Sequence, residues 1–276
     1  MIVVHVTHEA TEKIGGIGAV VAGLTTARAY SENVSRTVLL GPLLDTDRAV
    51  NERVGKGGRV IYSSLDAIRP PEWERKFLPI ETTYDVGIIY GTRPINEPCG
   101  GREVEPELLL GNAFNANKAR LDLVKAAQFT KFEDIWEYEQ YVRLAEPGCE
   151  ALRAIDAGTD GEQTVLLAHE HMGMPTALRA ILDGRRNVRT VFYAHEVASV
   201  RPIVETRPGH DTMFYNVMQR EAERGRFIEQ VFPEVTDSYK HPLVKAARYC
   251  DCVFAVGDRV EQELRFLERH FRTLEI

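Results

Sequence analysis

Short apolar runs rich in β-branched residues alternate along the chain with longer stretches whose apolar positions recur at helical spacing. Residues 2–6 (Ile-Val-Val-His-Val) open the series. A run this short and this apolar predicts a buried parallel strand. A polar loop follows, then Gly15-Gly16-Ile17-Gly18, then residues 19–30 with the periodicity of an amphipathic helix. Residues 37–41 predict a second strand, completing a strand, glycine loop, helix, strand unit. Further strands are predicted at 59–62, 85–90, 164–168, 188–194 and 252–256, with helix at 176–182, 212–230, 242–249 and 258–271. Residues 117–155 predict mostly helix, carrying Phe129, Phe132, Trp136, Tyr138 and Tyr141 and broken at Pro147-Gly148. The segment 66–106, dense in proline and glycine, predicts loop.

Strands alternating with helices predict an α/β fold, a doubly wound and mostly parallel sheet of Rossmann-like type. No tandem repeat or linker divides the chain, so a single domain over 1–276 is expected, with a helical insertion around 112–160. Ligands of such sheets sit at the carboxyl ends of the strands. The chemistry-bearing residues fall there: the glycine loop after the first strand, His169-Glu170-His171 after the fifth, and His195-Glu196 after the sixth.

Composition narrows the function classes. With 276 residues, 44% hydrophobic and 27% charged, the chain suits a globular protein with a sizeable core. A formal charge of −7 argues against a general nucleic-acid or anionic-membrane binder, while leaving room for a local phosphate site. Cys99, Cys149, Cys250 and Cys252 form no Cys-x-x-Cys pair, which predicts reduced thiols. The first residues lack the basic and long apolar regions of a signal peptide, and no stretch approaches a membrane span. A cytoplasmic protein is expected.

Glycines let backbone N–H groups approach a bound anion, and Lys13 adds a point charge two residues before Gly15. A plain strand-to-helix turn is the simpler alternative. The dinucleotide fingerprint is incomplete, since Val21 stands where its third glycine or alanine belongs, and Gly-Lys-Ser/Thr is missing. His169 and His171 point to opposite faces if their strand continues, a poor arrangement for one metal. His169 is the better candidate for a satisfied structural histidine. His195 at a strand end with Arg201 six residues on suits an anionic or polyhydroxyl ligand, although Arg201 alone reads as a surface ion pair. Glu9 and Glu12 are a candidate acid–base pair, with solvated loop carboxylates as the plainer reading. Met172, Met174 and the aromatics of 129–141 read as packing residues.

Together these motifs resemble the glycogen and starch synthases. Lys13-Ile14-Gly15-Gly16-Ile17 resembles their Lys-x-Gly-Gly-Leu/Ile motif, and Ala168-His169-Glu170-His171 is similar to their Ala-His-x-His strand end. Residues 190–201, Thr-Val-Phe-Tyr-Ala-His195 through to Arg201, resemble the Thr-Ile-Phe-Thr-Thr-His…Arg segment of the animal and fungal enzymes. Residues 247–257 are similar to the segment that closes the family's N-terminal domain. The motifs keep family order over nearly the whole chain. The resemblance implies the N-terminal, acceptor-side half of a two-Rossmann-domain (GT-B) retaining glucosyltransferase, acting from UDP- or ADP-glucose on an α-1,4-glucan end without a metal or other cofactor. It implies that Lys13, Gly15 and Gly16 face the donor phosphates. It also implies that His171 faces the transferred glucose as the catalytic residue, and that His195 and Arg201 contact the donor sugar or phosphate. Three departures stand out: Met172-Gly173 replaces an acidic residue and Trp, Ala194-His195-Glu196-Val197 stands for the family's Thr-His-Ala-Thr and adds a carboxylate near the site, and the C-terminal donor domain is expected to be absent, leaving a partner to supply it. The alternatives are a non-catalytic α/β protein that binds glucan or nucleotide sugar and a metal- or nicotinamide-dependent enzyme using the histidines.

Overall fold

The computed structural model describes residues 1–44, 48–96, 102–112, 132, 135–159, 161–206, 210–274 and 276. Cys99, Phe129 and the stretch 113–131 of the expected helical insertion lie outside the described residues. The described strands are β1 (Ile2–Val6), β2 (Arg36–Pro42), β3 (Arg59–Ser63), β4 (Gly87–Thr92), β5 (Ile95–Asn96), β6 (Glu103–Val104), β7 (Glu107–Asn112), β8 (Thr164–His169), β9 (Val188–Ala194) and β10 (Cys252–Ala255). The α-helices are α1 (Gly16–Thr26), α2 (Arg28–Asn33), α3 (Val50–Arg53), α4 (Pro71–Tyr84), α5 (Trp136–Ala154), α6 (Glu170–Asp183), α7 (Arg201–Thr206), α8 (His210–Glu223), α9 (Ile228–Val231), α10 (Lys240–Lys245) and α11 (Asp258–Leu267).

Eight strands form one sheet in the order β10-β9-β8-β1-β2-β7-β4-β3, and β5 pairs with β6 apart from it. Every pairing from β10 across to β7 is parallel, whereas β4 runs antiparallel to both β7 and β3. The expected α/β, Rossmann-like sheet is therefore present, with one reversed strand. β1 is buried at all five positions, as a central strand covered on both faces must be. Its even face (Ile2, Val4, Val6) joins Leu166, Ala168 and Phe192 in the main core, together with Leu144, Leu152, Ala177 and Leu178 of α5 and α6. A smaller core under α1 gathers Ile17, Val21, Leu39, Leu108 and Leu110 on the opposite face. Arg36 binds both carboxylate oxygens of Glu107, and Tyr90 Oη donates to Glu107 Oε2 at 2.6 Å, clamping β2, β7 and β4 together.

Several local expectations are revised. The loop expected across 66–106 contains α4, whose Pro71 takes the first helical turn, where a missing N–H costs nothing. β4 lies wholly within the same segment, where the strand at 85–90 was expected, and β7 follows at 107–112 as an internal strand beside β2. α5 runs unbroken through Pro147 and Gly148, both buried. A Cβ on Gly148 would lie 3.2 Å from Leu40 Cδ2, so the glycine serves close approach of helix to sheet rather than a break. The helix expected at 212–230 divides at Gly225, whose φ of +77° is glycine territory.

The helix expected from 176 begins six residues earlier, directly on the end of β8. A Cβ on Gly173 would stand 2.6 Å from Ala168 Cα. Only glycine lets the first turn of α6 sit on the strand this closely. His171 thus lies on a helix, not on a continued strand. Among the described residues no helix is long and apolar enough to cross a membrane.

Candidate functional site

β1 is followed in sequence by β2 on one side, while β8 pairs on the other, so the strand order reverses beside β1. A crevice outside the carboxyl ends of β1, β8 and β9 follows from that topology. The loop 7–15, the start of α6 and the segment 195–201 meet this edge of the sheet.

In the glycine loop the structure holds an internal anion. Glu9 is 3% exposed, and its Oε2 accepts N–H bonds from Ile14 and Gly15, each 2.7 Å, and from Gly18 at 3.1 Å. The carboxylate sits at the N-terminus of α1, where unpaired amides and the helix dipole favour negative charge. A Cβ on Gly18 would lie 2.5 Å from Glu9 Oε2 and 2.9 Å from Lys13 Cα, whereas one on Gly16 would meet nothing within 4 Å. The glycine loop is built around Glu9, and the Gly15 amide is already engaged. The plainer reading of Glu9 as a solvated carboxylate does not hold; Glu12 is the partly exposed one, paired with Arg48 at 3.0 Å. Lys13 is exposed and makes no ion pair among the described residues.

Glu170 opens α6 with φ +60°, a left-handed conformation rare outside glycine and a sign of local constraint. Its side chain is buried, and Oε1 accepts the backbone N–H groups of His195 and, at 2.7 Å, Glu196. That carboxylate ties the end of β9 to the start of α6. Its other oxygen, Oε2, is buried with no partner. Burial pushes the Glu170 carboxyl up to about 8, outweighing the two backbone N–H donors, so it carries a proton at neutral pH. Next to it, His171 is 5% exposed with Nδ1 unpartnered. Burial, then the charge of Lys240, pushes this ring down to about 3, keeping it neutral. Tyr239 and Tyr141 stand edge-on to it, with ring centroids 5.7 and 6.4 Å away.

Three more histidines line up behind the cleft. His195 Nε2 lies 2.8 Å from His169 Nδ1, and His169 Nε2 lies 2.9 Å from His5 Nδ1. His169 is the satisfied histidine expected of the pair 169 and 171, with both ring nitrogens spent on its neighbours. Burial lowers all three, His5 and His195 to about 4. His195 and Arg201 share the lining of a cavity of about 150 Å³ with Glu196, Arg259 and Glu263. Arg201 is exposed and donates to Glu205 at 2.8 Å, the surface ion pair that was the simpler reading of it. Among the described residues no hydrogen bond or ion pair joins Lys13 to His171, His195 or Arg201.

Among the described residues, five buried side-chain polar atoms lack a partner: His8 Nδ1, Glu170 Oε2, His171 Nδ1, Ser199 Oγ and His241 Nδ1. Native proteins leave few such atoms unsatisfied. The first four belong to the segments that follow β1, β8 and β9. These four atoms are closed to solvent, so a ligand offering hydroxyl donors and oxygen acceptors would meet them only as the crevice opened. No described group of three or more His, Cys, Asp or Glu residues is arranged to hold a metal ion. Cys149 and Cys250 are buried free thiols, each pushed up to about 12 by burial, and neither borders the cleft.

Sequence reasoning passed over Glu170 as a residue with a role of its own, as well as His5, His8 and Lys240. A carboxylate between two histidines was the available signal for Glu170; His5, in an apolar strand, gave none. Set against known proteins, the chain matches no family model, and no curated protein sequence matches it either.

Proposed function

We propose that this cleft binds a nucleotide sugar and the end of an α-1,4-glucan, and that the chain is the acceptor-side half of a glycogen-synthase-like retaining glucosyltransferase of GT-B type. The observation that carries the reading is the set of unpartnered buried polar atoms in the segments that follow β1, β8 and β9, three of them (on Glu170, His171 and Ser199) within stretches that resemble the synthase motifs. A sugar ring presents hydroxyls that both donate and accept, which matches a protonated carboxyl, a neutral imidazole and a serine hydroxyl. Transfer from UDP- or ADP-glucose builds negative charge on the departing diphosphate and positive charge on the ring. Lys13, exposed and in no ion pair among the described residues, is the cation for the diphosphate, with Arg201 recruited from its surface pair. A neutral His171 beside the ring avoids placing a cation against developing positive charge. The step requires no metal, and the donor's base contacts fall to a partner domain. A cytoplasmic setting goes with this reading, and three free thiols support it.

Calorimetric titration of the chain with UDP-glucose, ADP-glucose and maltooligosaccharides tests it. The expected result is glucan binding that His171→Ala abolishes without moving the unfolding midpoint, and donor binding that Lys13→Ala weakens more than glucan binding. An absence of heat with all three ligands would overturn the proposal.

A second reading has its own observation. Glu9 fills the amide cradle that a phosphate would otherwise use, which favours a non-catalytic protein that binds glucan through the same cleft. Glucan binding with no response to either nucleotide sugar is its signature in the same titration.

A further inference from the structure

The three-histidine chain does not stop at His5. His5 Nε2 lies 3.1 Å from Tyr30 Oη, and Tyr30 Oη lies 3.0 Å from Thr37 Oγ1. The ring planes of His5 and His169, and of His169 and His195, are inclined by only 25°, with centroids 5.2 and 5.1 Å apart. Five side chains from β1, β2, α2, β8 and the end of β9 thus form one hydrogen-bonded line. Its inner members, His5 and His169, are fully buried. Its outer member, His195, lines the cavity it shares with Arg201, and among the described residues its Nδ1 makes no hydrogen bond.

A neutral imidazole carries one N–H and one bare nitrogen. In a line of three, each ring therefore dictates the tautomer of the next, and two settings satisfy every bond. In one, Tyr30 donates to His5 Nε2, so His5, His169 and His195 all carry their proton on Nδ1. In the other, His5 donates to Tyr30, all three carry it on Nε2, and His195 offers the cleft a bare Nδ1. A phenol is the stronger donor and an imidazole nitrogen the stronger acceptor, so the first setting is favoured. We propose that His5 and His169 are positioning residues through which the Tyr30 hydroxyl fixes His195 as an Nδ1–H donor toward an oxygen of the bound ligand. Burial keeps all three rings uncharged near neutrality, which the arrangement requires. The donor so presented is matched by a phosphate or sugar oxygen and is mismatched to a ligand N–H.

The inference rests on the cleft reading for the identity of the ligand oxygen, but its test needs no ligand. Long-range ¹H–¹⁵N correlation spectra of the histidine-labelled chain at pH 7 distinguish the two tautomers by ring-nitrogen shift, with signals assigned from His195→Gln. The expected result is Nδ1–H at His5, His169 and His195, opposite to the Nε2–H form that free neutral histidine prefers. Tyr30→Phe keeps the ring and removes the donor. It is expected to shift the tautomer ratio at His195, two rings away, by roughly fivefold, the equivalent of one net hydrogen bond. Thr37→Val leaves Tyr30 able to donate and is expected to leave the ratio alone. An Nε2–H tautomer at His195 in the parent overturns the proposal, whether or not the variants fold. An unchanged His195 ring in Tyr30→Phe overturns it as well. Failure of the sugar titrations would remove the proposed function and leave the tautomer result standing.

Discussion

Glu170→Gln isolates the energetic consequence of burying a carboxyl between β8 and β9. Gln preserves the Oε1 acceptor for the two backbone N–H groups and cannot ionise. In the parent, burial raises the folded carboxyl from 4.5 to about 8. A group whose folded value is raised contributes stability that is fully present below its unfolded value and is lost as pH rises through its folded value. Between pH 5 and pH 8 the folded parent holds a proton that the unfolded chain sheds, at about 1.4 kcal/mol per pH unit. Allowing for the levelling near pH 8, the parent loses about 3 kcal/mol across that window and Glu170→Gln does not. The variant-minus-parent difference should therefore climb by about 3 kcal/mol from pH 5 to pH 8, roughly 6–12 °C in unfolding midpoint for a chain of this size. Urea unfolding at four pH values, followed by far-UV circular dichroism with the slope checked for constancy, measures it. A difference that stays flat across the window would show that Glu170 ionises normally in the fold. Burial and the unpartnered oxygen would then have no hold on its proton.

Three further outcomes are expected. In the Glu170→Gln background, stability should decline as pH falls from 6.5 through about 4, because the lowered values of His5, His171 and His195 make their neutral forms a native-state contribution lost on protonation; an unfolding midpoint constant over that range would contradict it. Gly18→Ala should cost about 1–3 kcal/mol by driving a methyl against Glu9 and the Lys13 backbone, while Gly16→Ala, with open space, should be neutral or slightly stabilising; equal urea midpoints for the two variants would dissociate Glu9 from the loop. Glu9→Ala, which strands three amides, should lower stability by about 1–3 kcal/mol and raise amide exchange at Ile14, Gly15 and Gly18; unchanged exchange at those amides would refute the cradle.

Legibility followed the strength of the local signal. β1, β8 and β9 were readable because buried parallel strands are short, apolar and β-branched, and their order placed the candidate residues at one edge of the sheet. β7 was not: the short leucine run at 108–110 satisfies helix and strand alike, and only pairing with β2 decides between them. α4 hid behind Pro70, Pro71 and Pro79, which read as loop punctuation although Pro71 suits a helix start. At the site, glycines at 15, 16 and 18 announced close backbone approach, but not what approaches. The occupant, Glu9, comes from the same loop, and its burial is a tertiary fact. The line from His195 to Tyr30 joins residues up to 190 positions apart in sequence, and no spacing rule could connect them.

The joint between β8 and α6 has no connecting residue, since the strand ends at His169 and the helix begins at Glu170. A spacer would ordinarily absorb small changes of length at such a junction. Here one inserted residue would turn the helix by about 100° relative to the strand, carrying Glu170 and His171 off the crevice together while Gly173 lost its seat on Ala168. Insertional scanning should find this peptide among the least forgiving in the chain, beside the surface turn at Gly184, whose φ of +63° ends the same helix in open space. The two ends of α6 then differ in evolvability: length can drift at its tail, whereas at its head only side-chain identity can.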